Sequence, residues 1–211
     1  MYNPAHFREV RPEVLRAAMA KHPLATLVTL GADGLSTSHI PLLHYADGGV
    51  HGTLRGHMAR SNPQWSTHQS HVSALAVFRG PQHYISPSWY PSKQEHGKVV
   101  PTWNYVMVEA QGPLRVIEDP AWILENVRAL TAAQEQGLAV QWSVEQAPAD
   151  FVADMLGAII GVEIVVERLE GKWKMSQNRS VQDRAGVLDA LAKLGSEEAV
   201  EVAKLVRERL P

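Results

Sequence analysis

Residues 55–62 combine side chains that bind anions. They read Arg-Gly-His-Met-Ala-Arg-Ser-Asn and lie where a predicted strand gives way to the start of a short predicted helix. Backbone N–H groups at such a junction can bind an anion together with His57, Arg60 and Ser61. The glycine beside His57 permits close approach of a ligand. The alternative interpretation is that Arg60 is an ordinary surface charge.

A second polar group, Ser-Thr-Ser-His, occupies residues 36–39 of a predicted strand. Because successive side chains of a strand point to opposite faces, Ser36 and Ser38 share one face while Thr37 and His39 share the other. Hydroxyl groups in this arrangement can hydrogen-bond a phosphate. A partly exposed strand face is the alternative.

The run from Phe78 to Tyr105 is rich in aromatic side chains. It holds six of the 14 Phe, Trp and Tyr residues of the chain, and four prolines and two glycines interrupt it. No long helix can hold those rings on one face, so the pattern favours a loop-borne wall behind a flat ligand. The alternative is that the rings fill the core between strands.

Charge is distributed unevenly along a chain whose formal net charge is −2. Between His51 and Tyr105 five basic residues stand against one acid, and six of the ten histidines lie in the same stretch. A positive, ring-rich middle suits a small anionic aromatic ligand, and a solvated basic surface is the alternative. The net charge gives no reason to expect nucleic acid or an anionic membrane as a partner.

Other chemistries have little support in the sequence. The chain has no cysteine, which excludes disulfides, thiolate metal sites and thiol catalysis. It contains neither a GxSxG nor an HExxH motif. We expect no bound metal, because the spacing of the histidines matches no familiar metal motif. The histidines concerned are His39, His44, His51, His57, His68 and His71.

The composition is typical of a folded protein, with 211 residues of which 45% are hydrophobic and 20% charged. This is enough for one domain with a substantial core. The first residues lack the apolar run of a signal peptide, and no apolar stretch is long enough to span a bilayer. We therefore expect a cytoplasmic protein with no membrane partner.

The sequence predicts that the candidate site residues are carried mainly by β-strands. Turn signals such as Gly31-Ala32-Asp33-Gly34 separate short apolar runs, and about six strands at this spacing are typical of an antiparallel barrel or sandwich. The predicted strands lie at residues 24–30, 35–45, 50–57, 72–80, 82–89 and 102–118, and residues 161–175 are also extended.

Helices are predicted at residues 11–21, after Asn62-Pro63, after Asp119-Pro120 and after Pro148. The last 30 residues predict two helices that break at residues 194–196, with Ser180 and Ser196 as caps. A DNA-reading helix should be basic, whereas this pair carries six acids against five basic residues. The charges favour an αα-hairpin that packs on the barrel or on a second subunit.

Six sequence segments resemble those of the PaiB-type, FMN-binding negative transcriptional regulators and follow one another in the same order as in that family. The segments are MYNPAHF, SHIPLL, GHMARSNPQW, FRGPQHYISPSWYPSK, VVPTWNY and EGKWKMSQNRS. The resemblance implies an α+β, mainly β fold, an FMN-binding split β-barrel with flanking helices. It implies one domain over residues 1–211, with a C-terminal helical pair at 180–211. It also implies a homodimer that holds its cofactor, FMN, at the subunit interface.

The same resemblance implies which residues hold the cofactor. One set would bind the phosphate and ribityl chain of FMN: Ser38, His39, His57, Arg60 and Asn62. A second set would line the flavin pocket: Thr102, Trp103 and Asn104. A third set, from the same chain or from a partner subunit, would close the pocket: Lys174, Gln177, Asn178 and Arg179.

Three functions remain open at the level of sequence. The family implies a flavin-binding repressor, but the chain offers no DNA-reading element, so repression by an indirect route is an alternative. Relatives of the fold imply an FMN-dependent oxidoreductase in which the flavin would do the chemistry. As general acids or bases only His39 and His57 stand out. Haem binding in the same fold rests on the abundance of histidine alone.

Overall fold

The computed structural model describes residues 1–209 of the chain. They form ten β-strands, seven α-helices and three short 3₁₀ helices. The strands are β1 (Arg8–Glu9), β2 (Leu24–Gly31), β3 (Gly34–Pro41), β4 (Leu43–Tyr45), β5 (Thr53–Ala59), β6 (Ala74–Ile85), β7 (Thr102–Gly112), β8 (Leu114–Ile117), β9 (Ile159–Val165) and β10 (Arg168–Lys174). The helices are α1 (Pro12–Lys21), α2 (Gln64–Thr67), α3 (Ser92–His96), α4 (Pro120–Glu135), α5 (Ala149–Gly157), α6 (Val181–Leu194) and α7 (Glu197–Glu208).

The chain divides into two compact units. The first unit combines three separate segments, Met1–Leu15, Arg79–Val108 and the chain from Glu170 onward. The second unit combines Arg16–Phe78 with Glu109–Leu169. Residues 210–211 of the predicted C-terminal extension lie outside the described part. No helix within residues 1–209 is long and apolar enough to cross a bilayer.

The first unit contains a sheet with the strand order β1-β10-β7-β6. Strand β1 pairs antiparallel with β10, which places Glu9 opposite Gly171. Helices α6 and α7 pack against each other, and four of their side chains are fully buried: Val187, Leu191, Val202 and Val206. The two helices therefore form the predicted αα-hairpin, and its packing on the barrel or on a second subunit stays a prediction.

Side-chain caps fix the ends of these two helices. Ser180 accepts a hydrogen bond from the backbone N–H of Asp183, and Ser196 accepts one from that of Ala199. Gly195 ends α6 in the left-handed conformation, with φ of 64°, which glycine adopts at little cost. Both predicted caps and the predicted break at residues 194–196 are confirmed.

The second unit contains two antiparallel arrays. One has the order β6-β2-β3, with β3 at the edge, and the other has the order β4-β5-β9-β8. In the first array Ser38 lies opposite Leu27 and His39 lies opposite Thr26. In the second array His57 lies opposite Gly161. These registers decide which candidate site residues can meet.

Strand boundaries differ from the sequence prediction in several places. The predicted strand at 102–118 divides in two at Pro113, and the predicted strand at 50–57 begins at Thr53. The sequence predicts separate strands at 72–80 and 82–89, but β6 runs through Pro81 and a 3₁₀ turn, Pro87–Trp89, follows it. The pairing of β6 with β2 covers residues 75–77, so Pro81 lies beyond it and its missing N–H costs no bond there. The predicted strands at 35–45 and 161–175 each divide into two, at residue 42 and at residues 166–167.

Candidate functional site

A chain of hydrogen bonds joins β3 to the beginning of α2 in the second unit. The Nδ2 atom of Asn62 donates to Ser38 Oγ at 2.8 Å, and Ser38 Oγ donates in turn to Gln64 Oε1 at 2.5 Å. Asn62 Oδ1 accepts from the backbone N–H of Gln64 at 3.0 Å. We call Ser38, Asn62 and Gln64 the Ser38 cluster. The structure thus brings two of the sequence-predicted phosphate ligands together and adds Gln64, which sequence reasoning missed.

The start of α2 differs slightly from expectation. The helix begins at Gln64, one residue later than the predicted first position at Pro63. Asn62 nevertheless receives the N–H of Gln64, the type of contact that a capping side chain makes. The local sequence Asn-Pro-Gln fixes the Oδ1 of Asn62, and the bond to Ser38 on β3 fixes its Nδ2.

His39 lies on the opposite face of β3 from Ser38. Its Nδ1 lies 3.0 Å from Thr26 Oγ1, and the side chain is exposed. The alternation of β3 separates the two neighbours, as the sequence pattern predicted. His39 is therefore not part of the Ser38 cluster.

His57 packs against α4. Its Nδ1 lies 3.4 Å from Asn126 Nδ2, and burial lowers the pKa of His57 below its ordinary value. Asn126 is 3% exposed, and its Oδ1 is buried without a hydrogen-bond partner in the described residues. Sequence reasoning missed Asn126, although a polar residue between the apolar positions Ile123 and Leu130 of a predicted helix was a usable signal.

Arg60 forms its side-chain hydrogen bonds with residues outside the Ser38 cluster. Its Nη1 donates to Glu118 Oε2 at 3.1 Å and its Nε donates to the carbonyl oxygen of Gly157 at 3.2 Å. The arginine side chain is 39% exposed. Neither of these partners belongs to the Ser38 cluster, so the structure gives Arg60 an ion pair of its own.

In the first unit, the end of β10 bonds to the start of β7. Lys174 Nζ donates to Thr102 Oγ1 and, at 2.9 Å, to the carbonyl oxygen of Trp103. Ser176 Oγ donates to Asn104 Oδ1 at 3.1 Å. We call these five residues the Lys174 cluster. Ser176, with a positive φ of 61°, was not predicted from the sequence.

One donor of the Lys174 cluster has no partner in the described part of the chain. Asn104 is fully buried, and its Nδ2 makes no hydrogen bond within residues 1–209. Buried polar groups in folded proteins are normally paired, so an orphaned amide deserves a functional explanation.

The remaining predicted residues lie in the turn after β10. Gln177 bonds to its own segment, since its Oε1 accepts from Met175 N at 2.6 Å and its Nε2 donates to the Trp173 carbonyl at 2.5 Å. Arg179 places its guanidinium 4.8 Å from the centre of the Tyr90 ring. Asn178 is exposed. Of these three residues, Arg179 bonds to the Lys174 cluster through its backbone N–H, which donates to the carbonyl oxygen of Ser176 at 2.9 Å.

The Lys174 cluster is electrostatically positive. Burial, and then the nearby charges of Lys172 and Arg179, lower the pKa of Lys174 below its ordinary value. No carboxylate within residues 1–209 forms an ion pair with Lys174. Three cations with this little local compensation are suited to an anionic partner.

The aromatic run of the sequence divides into two classes. Phe78 and Tyr90 are 1% and 2% exposed and fill core. Trp103 and Tyr84 are 51% and 42% exposed, and their rings meet edge to face with centroids 6.1 Å apart. Core filling therefore explains some of the rings, and an open aromatic surface beside the Lys174 cluster accounts for others.

Comparison with known proteins identifies a family and two informative relatives. Residues 1–168 match the family model described as "Putative FMN-binding domain". An uncharacterized protein of Emericella nidulans is 33% identical over 99% of this chain and 97% of its own length. The Bacillus subtilis protein named "Protease synthase and sporulation protein PAI 2" is 29% identical over 100% of this chain and 98% of its own. These matches confirm the resemblance of the six sequence segments to the PaiB-type, FMN-binding family.

Solved structures resemble the fold at low sequence identity. The flavocytochrome Anf3 from Azotobacter vinelandii has a TM-score of 0.61 and 13% identity, over 85% of this chain and 75% of its own. The FAD and haem binding protein from Mycobacterium smegmatis has a TM-score of 0.54 and 13% identity, over 79% and 73%. The predicted fold class, α+β and mainly β of the flavin-binding split-barrel type, is confirmed.

Proposed function

The chain belongs to the family of FMN-binding domains, and on this premise we propose that it is a flavoprotein of the PaiB type with FMN as its resident cofactor. The observation that carries the proposal is the Lys174 cluster. Within residues 1–209 it combines a lysine without a carboxylate partner, a buried Asn104 amide nitrogen without a hydrogen-bond partner and an exposed indole at Trp103. An anionic, planar ligand with hydrogen-bond acceptors matches all three features.

FMN has chemical groups that each of the two clusters, taken by itself, can bind. It carries a dianionic phosphate and a flat ring with carbonyl and nitrogen acceptors, and when bound it supplies electron transfer. We assign the ring end to Trp103, Asn104 and Lys174. For the phosphate end, the family resemblance supports the Ser38 cluster. The protein residues would bind and orient the cofactor, and the indole would exclude water from one side of it. The remaining residues predicted for the site stay candidates.

We also propose a homodimer with FMN at the subunit interface, which the family resemblance supports. A size measurement by light scattering, together with the ratio of FMN to chain, tests this part. A dimer that carries two FMN molecules supports it, and a monomer that binds FMN with full affinity would contradict it.

For biological function we propose a regulator that acts on transcription indirectly. The family resemblance supports this role, and the name of the Bacillus subtilis relative refers to a protease synthase and to sporulation. In the C-terminal helix pair, Arg184 is buried and its Nη1 donates to the carbonyl oxygen of Arg209 at 3.1 Å. Asp183 is also buried, and it accepts hydrogen bonds from Ser92. The side chains of Asp183 and Arg184 are therefore unavailable to DNA. Retardation of promoter DNA at low salt would contradict the indirect route.

The second candidate is an FMN-dependent oxidoreductase. It is favoured by Lys174, whose lowered pKa makes it able to hold or release a proton closer to neutral pH than an ordinary lysine. Oxidation of a reduced nicotinamide at a useful rate by the flavin-loaded protein would support this function over the regulator.

The absorbance spectrum of the protein as purified is the decisive experiment. Flavin bands, followed by release of FMN on denaturation, support the proposal. A Soret band would favour haem instead. Colourless protein that also fails to bind added FMN would overturn the proposed function.

A further inference from the structure

Gln64 is the most completely bonded side chain of the Ser38 cluster, and the sequence gives it no role. It is 3% exposed. Its Nε2 lies within hydrogen-bond distance of three acceptors: Leu27 O at 3.3 Å, Thr29 Oγ1 at 3.1 Å and Ser36 O at 3.2 Å. Because a flipped amide would press Oε1 against two carbonyl oxygens, the orientation of the Gln64 amide is determined.

The orientation of Gln64 determines the orientation of the Ser38 hydroxyl. A hydroxyl has one proton, and Gln64 Oε1 accepts it at 2.5 Å. The other neighbour, Asn62 Nδ2, is itself a donor at 2.8 Å and cannot receive that proton. Ser38 therefore offers a ligand only a lone pair, which a phosphate cannot use.

Among the described residues, the donor that the Ser38 cluster leaves free belongs to Asn62. An amide nitrogen has two protons, and Asn62 Nδ2 gives one of them to Ser38. Its Oδ1 is held by the backbone N–H of Gln64 at 3.0 Å, so the amide plane is fixed at both ends. The second proton of Nδ2 is the group that this arrangement leaves for an anion.

We propose that Gln64 is a positioning residue for the phosphate end of FMN, acting through Ser38 to orient the second amide proton of Asn62 toward the phosphate. The inference rests on the proposed function, since it presupposes that FMN binds. It assigns the hydroxyl of Ser38 to orientation and the amide of Asn62 to contact. Gln64 itself touches no cofactor atom.

The test compares FMN with riboflavin, which lacks the phosphate. Gln64→Met keeps the length of the side chain and removes its hydrogen bonds. Gln69→Met is the matched control, because Gln69 Nε2 donates to the carbonyl oxygen of Gly31 at 3.4 Å on the same strand β2, away from Ser38. We expect Gln64→Met to bind FMN about tenfold more weakly, to bind riboflavin within about twofold of wild type, and Gln69→Met to change neither.

The outcomes distinguish failure of the inference about Gln64 from failure of the proposed function. If Ser38 instead donated to the phosphate, Gln64→Met would free its proton, and unchanged or tighter FMN binding would overturn the inference. Equal losses for FMN and riboflavin would mark general damage and overturn it as well. Wild-type protein that binds both flavins equally would also overturn it and leave the proposed function intact. Wild-type protein that binds neither flavin would overturn the proposed function itself.

A second pair of variants covers the case in which Gln64→Met does not fold. Asn62→Asp keeps the acceptor for the N–H of Gln64 and replaces the free donor by a charged oxygen, so the preference for FMN over riboflavin should disappear. Ser38→Ala should reduce the same preference, and combination with Gln64→Met should add little, because both act in one chain of bonds. A preserved preference in Asn62→Asp would contradict the inference.

Discussion

The guanidinium of Arg60 donates to the carboxylate of Glu118 across 3.1 Å. The two side chains come from the end of β5 and the end of β8, and they are 39% and 68% exposed. Exposed ion pairs contribute little to stability, so Glu118 competes only weakly with another anion for Arg60. The charge that the sequence marks as a phosphate ligand thus has an exchangeable partner.

Arg60→Ala should weaken FMN binding by roughly 1.5–3 kcal/mol if the guanidinium meets the phosphate. Glu118→Gln should strengthen FMN binding slightly, because it removes the competing charge. Isothermal titration measures both changes. The matched control is Arg128→Ala, which breaks a comparable exposed ion pair with Glu145 at 2.6 Å. Unchanged affinity in Arg60→Ala would make this residue a surface charge.

Lys174 should titrate below the ordinary value for lysine. Burial is the largest cause of the lowered pKa, and the charge of Lys172 is the next. Lys172→Met should therefore raise the pKa of Lys174, which NMR of labelled lysine side chains measures directly in the flavin-free protein. Lys193→Met, a change at the end of α6, should leave it where it is. A Lys174 pKa that is ordinary in wild type would refute the electrostatic account of the cluster.

If the charge of Lys174 helps to bind FMN, affinity should fall as the pH rises through its lowered pKa. Lys172→Met should move that fall to higher pH. Measurement of FMN affinity between pH 7 and the alkaline limit of stability distinguishes this from a loss caused by unfolding, provided that circular dichroism is recorded in parallel.

The ionisation of Glu9 should make the free energy of unfolding depend on pH in the acidic range. Glu9 is 4% exposed and bonds to Arg11 at 2.6 Å and Arg209 at 2.5 Å, which lowers its pKa from 4.5 to about 2, although burial opposes this. A lowered folded-state pKa stabilises the fold above pH 4.5, and this contribution is lost as the pH falls toward 2. The shift corresponds to about 3 kcal/mol.

Urea unfolding at several pH values measures this effect. Glu9→Gln should lower the free energy of unfolding at pH 7 by up to about 3 kcal/mol, and the difference from wild type should shrink below pH 4.5. Glu13→Gln, in the first turn of α1, should cost little at any pH. A difference that stays constant with pH would contradict the ionic role of Glu9.

Gly186 allows α6 to approach the 3₁₀ turn at Trp89. A Cβ at this glycine would lie 2.1 Å from the carbonyl oxygen of Trp89, which is backbone and cannot move aside cheaply. Gly186→Ala should therefore lower the free energy of unfolding by about 1–3 kcal/mol. Gly157→Ala, at the end of α5, is the control, because its Cβ would meet nothing within 4 Å. Equal stability of the two variants would contradict the close approach.

Part of the site could be predicted from the sequence, because its residues are close in sequence or follow strand periodicity. The alternation at residues 36–39 predicts that Ser38 and His39 face apart, and the word Asn-Pro-Gln predicts the start of α2. Lys174 and Thr102 were marked separately, but their bond spans 72 residues and depends on strands whose pairing no local pattern specifies. The orientation of Gln64 depends on carbonyls of β2 and β3, which a sequence pattern does not locate.

The pairing of β1 with β10 has a consequence for synthesis of the chain. Arg8 and Glu9 are synthesised long before their strand partners, Lys172 and Gly171. The second unit, whose last segment ends at Leu169, is synthesised before those partners. Because non-local pairing must wait for both strands, we infer that the amino-terminal segment of the nascent chain stays unpaired in this sheet until β10 emerges.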